Sequence, residues 1–176
     1  QEFFIEGGRS RSGKLLPPRY GILNYIVEGA RRSDIGDVLF VPTSIAYDQI
    51  LELSEYVRQN QGDEKEAESF LFLVRQIRAA RARKLGRIHV RFAEPISLRE
   101  YLDRSGDDRL VVEKLAFQIS NEINGATPIT PAALACSVLL GAGKRALGEA
   151  EFVAQAALLV DYAHERGIAL TAEVQA

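Results

Sequence analysis

The stretch that decides the reading is Glu6-Gly7-Gly8-Arg9-Ser10-Arg11-Ser12-Gly13-Lys14. It follows a short bulky run, Phe3-Phe4-Ile5, whose pattern predicts a buried strand running into a loop that Pro17-Pro18 ends. Two adjacent glycines let the backbone turn sharply after that run. Arg9, Arg11, Lys14 and Arg19 are basic, and no acid lies between Arg9 and Arg19. The arginines are planar forks suited to bidentate contact with a phosphate, and Ser10 and Ser12 add hydroxyl donors. A glycine-rich turn after a strand is also where α/β sheets bind ligands. A phosphate site and a solvated basic loop are the two readings that follow. Gly8 to Lys14 also fits the nucleotide motif G-x-x-x-x-G-K. Position 15, however, is Leu where that motif holds magnesium with Ser or Thr, and the proline pair interrupts the helix it needs.

Outward from the loop, Tyr20 to Arg32 reads as a helix with Ile22, Tyr25, Ile26 and Gly29 on one face. Val38 to Val41 reads as a strand stopped by Pro42, continuing after a break over Ser44 to Tyr47. Phe70, Leu73, Val74 and Ile77 recur at helical spacing, which predicts an amphipathic helix within 66–85. Ile88, Val90 and Phe92 alternate with His89 and Arg91, as in a strand with one wet face. Ser97 and Glu100 have capping-box spacing and start a short helix. Val111, Leu115, Ile119 and Ile123 stripe the next helix, introduced by Asp107-Asp108. Thr130-Pro131 opens a helix through Leu140, and Glu149 to Arg166 forms another that Gly167 closes. The expected fold is α/β with a mostly helical C-terminal part. The boundary falls near residue 96, dividing 1–96 from 97–176.

Composition limits the function classes. Of 176 residues, 47% are apolar and 26% charged, enough for a packed core. Twenty-two Lys and Arg against 24 Asp and Glu give a net charge of −2, which excludes general attraction to polyanions but not a local basic patch. One cysteine, Cys136, excludes a disulfide framework, and two histidines, His89 and His164, leave little for a metal cluster. No metal site is expected. The longest apolar stretch, Ala132 to Ala142, is well short of the roughly 20 residues of a spanning helix. The chain contains no Met and opens inside an apolar run, so it reads as a piece of a longer protein.

Phe4-Ile5-Glu6-Gly7-Gly8-Arg9-Ser10-Arg11-Ser12-Gly13-Lys14-Leu15 resembles the third conserved block of the membrane-associated bacterial glycerol-3-phosphate acyltransferases. Val41-Pro42-Thr43-Ser44-Ile45-Ala46-Tyr47-Asp48 resembles the fourth block, and Val90 to Ile96 resembles the downstream FGEP segment, with Ala93 in place of glycine. Order and spacing agree, and the likeness covers most of the chain, weakening beyond about Thr130. The resemblance implies an acyltransferase-type α/β domain. Its members move a fatty acyl group from acyl-CoA or acyl-carrier protein to the sn-1 hydroxyl of glycerol 3-phosphate, giving lysophosphatidic acid in phospholipid synthesis. It implies no cofactor beyond that acyl co-substrate. Arg9 and Arg11 would hold the phosphate, with Ser10 and Lys14 beside them. Glu6, Gly7 and Gly8 would shape the pocket, and Pro42 and Tyr47 would line the acceptor or acyl site.

The family's base sits in a separate block, Asn-His-x-x-x-x-Asp, whose histidine takes the hydroxyl proton and whose aspartate orients it. These 176 residues do not contain it. His89 with Glu94 is a near miss: the order is wrong, positions five apart on a strand face opposite ways, and Pro95 ends the strand. His89 is expected as a partly exposed strand residue and His164 as a helix-surface residue. The expectation is an acceptor-binding part with no catalytic residue of its own.

Between Ser69 and Glu94 there are seven basic residues (Arg75, Arg78, Arg81, Arg83, Lys84, Arg87 and Arg91) and no acid. The helix within 66–85 is therefore basic, suited to anionic lipid on the cytoplasmic leaflet of the cell membrane, or simply a solvated face. Cys136, among Ala and Leu, is expected in the core. Asp48 reads as a turn residue. The alternative function is a non-enzymatic basic phosphate- or nucleic-acid-binding module. The loop lacks the interleaved aromatics on which bases stack, so no nucleic-acid partner is expected.

Overall fold

The computed structural model describes residues 1–8, 14–33, 36–48, 86–106 and 108–175. They divide into two compact units: Gln1–Ile45 with Val90–Thr127, and Ala46–His89 with Pro128–Ala176. Arg9, Ser10, Arg11 and the basic helix expected within 66–85 lie outside the described residues.

In the first unit, α1 spans Gly21–Arg32, with Arg31 and Arg32 in its last turn, where cations suit the carbonyl end of the helix dipole. Leu23 and Val27, one turn apart, are its buried residues. This corrects the expected face: Ile22 and Tyr25 are exposed, and the buried stripe is set one residue further on. Strand β1 is short, Leu39–Phe40, and pairs antiparallel with β4, Ile96–Ser97. Helix α2, Leu98–Ser105, leaves β4 directly. Its start is fixed by local chemistry. The Glu100 N–H donates to the Ser97 hydroxyl oxygen at 3.1 Å, as the capping spacing predicts. The Ser97 hydroxyl in turn donates to Asp37 at 2.5 Å, and the Arg99 N–H donates to the other Asp37 oxygen at 3.0 Å. These bonds, Ser97's first, hold the Asp37 carboxyl below its ordinary range.

Helix α3, Val111–Ala126, presents Val111, Leu115 and Ile119 to the core, as its stripe predicts. With Ile5, Leu23, Phe40 and Leu98 they form one apolar cluster. Full burial of one such side chain contributes about 1.5–3 kcal/mol. The Phe3–Ile5 run belongs to this packing but is not a strand, contrary to expectation. The Ile5 carbonyl accepts from the Arg19 N–H at 2.8 Å, so it is spent on the returning loop instead of a ladder. Phe3 meets Phe40 edge-on at 6.5 Å between centroids.

Strands β2, Thr43–Tyr47, and β3, Ile88–Phe92, pair with each other. Bonds from Ala93 N–H to the Pro42 carbonyl and from Asp48 N–H to the Arg87 carbonyl flank the ladder and make it antiparallel. They place Ile45 opposite Val90 and Tyr47 opposite Ile88. The face of β3 expected to be dry is not covered, and Arg91 on the other face is exposed as expected. Ile88, Val90 and Phe92 are exposed, while Ser44 on the other face is buried and hydrogen-bonded to Thr127 at 2.8 Å.

The second unit holds α4 (Pro131–Gly141), α5 (Glu149–Glu165) and the short α6 (Ala172–Gln175), with α4 packed on α5. Thr130 caps α4 by accepting from Ala133 N–H at 3.2 Å, with Pro131 at the first position. Gly167, at φ +63°, follows the end of α5 as predicted. Cys136 is exposed, not core. Helix α4 is apolar around most of its circumference, so composition alone gives no phase. The chain thus combines helices with two small antiparallel sheets among the described residues, and its C-terminal part is helical.

Candidate functional site

The first unit builds a closed turn from Glu6 and Gly7. Gly7 has φ +63°, the left-handed region that glycine enters without strain. A Cβ placed there would lie 2.7 Å from Cγ of Arg19, so the arginine stem crosses directly over the glycine. Oε2 of Glu6 accepts from Leu16 N–H at 2.7 Å, and the Ile5 carbonyl accepts from Arg19 N–H. These bonds tie residues 5 and 6 to residues 16 and 19, which brings the two ends of the basic loop together. Gly8 and Lys14 are exposed, and a Cβ on Gly8 would meet open space. Arg9, Ser10 and Arg11 are not described.

Of the other sequence-derived residues, Pro42 is buried and its carbonyl anchors Ala93. Tyr47 belongs to the second unit and is 52% exposed. Pro42 and the Glu6 turn both belong to the first unit. A cleft of about 190 Å³ opens between Ala30 at the end of α1 and Leu98 and Arg99 at the start of α2, beside Asp37. None of the sequence-derived site residues lines it. Among the described residues, no three His, Cys, Asp or Glu side chains group as metal ligands.

The second unit holds a constellation that sequence reasoning missed. Nε2 of His89 lies 3.0 Å from Oδ1 of Asp48. The other Asp48 oxygen accepts from Arg87 N–H at 2.8 Å. Gly86, at φ +71°, makes room, since a Cβ there would lie 2.6 Å from Cβ of Asp48. The Arg87 N–H bond, then the His89 bond, hold the Asp48 carboxyl below its ordinary range. Oδ1 fixes the imidazole orientation and leaves Nδ1 facing away from the carboxylate. Arg87 also pairs with Glu173. His89 is partly exposed, as expected, but its partner is Asp48 on the neighbouring strand and not Glu94. His164 is exposed in the last turn of α5. No local signal points to the Asp48–His89 pair, whose members are 41 residues apart.

Residues 56–176 match the family described as the glycerol-3-phosphate acyltransferase C-terminal region. The chain belongs to that family. Relatives in Mycobacterium tuberculosis and Mycobacterium bovis, both named as the acyltransferase plsB1, are 40% identical over 171 residues, which is 94% of this chain and 27% of theirs. A glycerol-3-phosphate acyltransferase of Actinobacillus pleuropneumoniae is 34% identical over 168 residues, 88% of this chain and 20% of that protein. The resemblance read from the third and fourth blocks is borne out. The chain spans about a quarter or less of the length of these relatives. Among the described residues, no helix of this acyltransferase region is long and apolar enough to cross a membrane.

Proposed function

We propose that this chain is the acceptor-binding part of a glycerol-3-phosphate acyltransferase that makes lysophosphatidic acid for phospholipid synthesis. The observation that carries the reading is a 34% identical relative of that name aligned over 88% of the chain. The Glu6–Gly7 turn supports it, since it closes the base of a loop carrying Arg9, Arg11 and Lys14 without an intervening acid. In this reading the loop binds the phosphate of the acceptor, and Pro42 and Tyr47 lie along the acceptor or acyl path. The attacked carbonyl is a thioester of coenzyme A or acyl-carrier protein, and the nucleophile is the sn-1 hydroxyl. The proton goes to a histidine in an Asn-His-x-x-x-x-Asp block outside these residues.

Residues 1–96 are assigned to an acyltransferase-type α/β domain and 97–176 to a helical part. The basic residues of 66–85 dock the protein peripherally on anionic lipid at the cytoplasmic face, each contributing about 1 kcal/mol near the surface. The test is kinetic, in the full-length enzyme. Arg9→Ala or Arg11→Ala removes a charge-assisted contact of about 1.5–3 kcal/mol and should raise the KM for glycerol 3-phosphate about ten- to a hundred-fold, with the acyl-donor KM little changed. A raised donor KM with an unchanged acceptor KM would move these arginines to the coenzyme or the carrier.

A further inference from the structure

We propose that the outward face of α4 is an internal interface of the complete acyltransferase, covered by an uncharged apolar surface of the same polypeptide from outside these 176 residues. The face belongs to the second unit and does not depend on which substrate the basic loop binds.

The sequence sets the face up. No charged residue lies between Glu122 and Lys144. Within that run α4 buries Val138, with Leu134 and Ala135 half-buried beside it. Ala133, Cys136 and Leu140 recur at helical spacing on the opposite side and are exposed. Leu140 is 81% exposed and Leu139, next to it, 55%. The hydroxyl of Ser137 donates to the Ala133 carbonyl at 2.8 Å, so its bond is made inside the helix. A helix that is apolar on every side is one that becomes covered on every side. Helix α5 covers one side of α4. Among the described residues, nothing covers the other.

The surroundings select the occupant. A helix lying in a bilayer surface carries a rim of Lys and Arg with Trp or Tyr anchors, and α4 has none of these. Arg145, beyond its end, is engaged by both carboxylate oxygens of Glu151. Lys144 is then one exposed cation at that end, short of the roughly four to eight that recognise anionic lipid. The exposed acids Asp161 and Glu165 follow on α5. The 11 residues of α4 reach about 16 Å, half of a hydrocarbon layer of roughly 30 Å. A second copy of the chain would need roughly 20–30 residues a side for a standard interface, and a single helical stripe is well short of that. Covering by the same polypeptide needs no such area, because the tether removes most of the association cost. The length is available: a mycobacterial relative aligns with this chain over only 27% of its own length. The stripe is small at Ala133 and large at Leu140, so its complement is bulky at the first and small at the second.

Cys136, exposed in the middle of the stripe, is a built-in probe. The experiment measures its alkylation by a small maleimide in the unsubstituted full-length enzyme, read by mass spectrometry on the peptide that contains it. In the folded enzyme the rate should fall about a hundred-fold or more below that of the same enzyme unfolded in guanidinium, and neither dilution nor vesicles should change it. A rate within about three-fold of the unfolded one leaves the face open and overturns the proposal. Protection that appears only with phosphatidylglycerol vesicles assigns the face to lipid and overturns it. Protection lost on roughly ten-fold dilution assigns it to a second copy and also overturns it. Leu140→Glu probes the large end of the stripe. A charge buried there should lower the thermal transition of the full-length enzyme by about 5 °C or more, or prevent folding. An unchanged transition overturns the proposal even with Cys136 protected, because the large end of the stripe would then be open.

Discussion

Two glycine turns in this chain are built alike and covered by side chains of opposite charge. At Gly7 and at Gly86 the backbone sits at positive φ, and a side chain from a distant residue comes within 2.7 Å of where a Cβ would be, Arg19 in one case and Asp48 in the other. Asp48 is consumed within the fold by Arg87 N–H and by His89. Arg19 lies at the surface with its stem over the glycine. The same backbone device accommodates a side chain bonded within the fold at one turn and an exposed one at the other.

Alanine at both glycines is the strongest way to break this contrast. Each variant forces a left-handed Ala and a Cβ contact below 3 Å, and each should cost about 1–3 kcal/mol in denaturant unfolding. Only Gly7→Ala should also raise the acceptor KM in the full-length enzyme; an equal rise for Gly86→Ala would erase the difference. A capping residue supplies the yardstick for a purely structural effect. Ser97→Ala should cost about 1 kcal/mol of unfolding free energy and leave both KM values alone. The pH dependence sharpens the Asp48 side. Its depressed carboxyl stabilises the fold above the ordinary carboxylate range, and that contribution is lost as pH falls through the lower folded value. Asp48→Asn should therefore flatten part of the acid loss of stability in a pH series of unfolding curves, and an unchanged acid limb would show that the clasp contributes nothing. Smallest of all, Glu28→Ala breaks an exposed ion pair with Arg32 and should leave the unfolding midpoint unchanged within error, as isolated surface pairs do.

What could be read from the sequence follows the range of the interaction. The caps at Ser97 and Thr130 were legible because their hydrogen bonds span three residues. The α3 stripe was legible because a single period accounts for Val111, Leu115 and Ile119. In α1 both Ile22 with Ile26 and Leu23 with Val27 satisfy helical spacing, and tertiary packing chose the second pair as its buried residues. The alternation of β3 sorted its residues onto two faces correctly but not their burial, since Ile88, Val90 and Phe92 are exposed and the pattern does not say whether anything covers a face. The block motifs at Glu6 and Pro42 pointed to the acyltransferase family, which the comparisons support. The Asp48–His89 pair and the Arg19 stem over Gly7 depend on chain segments meeting across 41 and 12 residues, which no local pattern encodes.

The tie between Asp48 and Arg87 has a consequence for how the strand pair is closed at its ends. The backbone bond from Asp48 N–H to the Arg87 carbonyl and the side-chain bond back to Arg87 N–H hold the two ends of the connection between β2 and β3 together. The Asp48 tie therefore closes one end of the β2–β3 ladder with both backbone and side chain, while the Ala93 N–H bond to the Pro42 carbonyl closes the other, so removing the Asp48 carboxylate should loosen the Arg87 end and spare the Pro42 end.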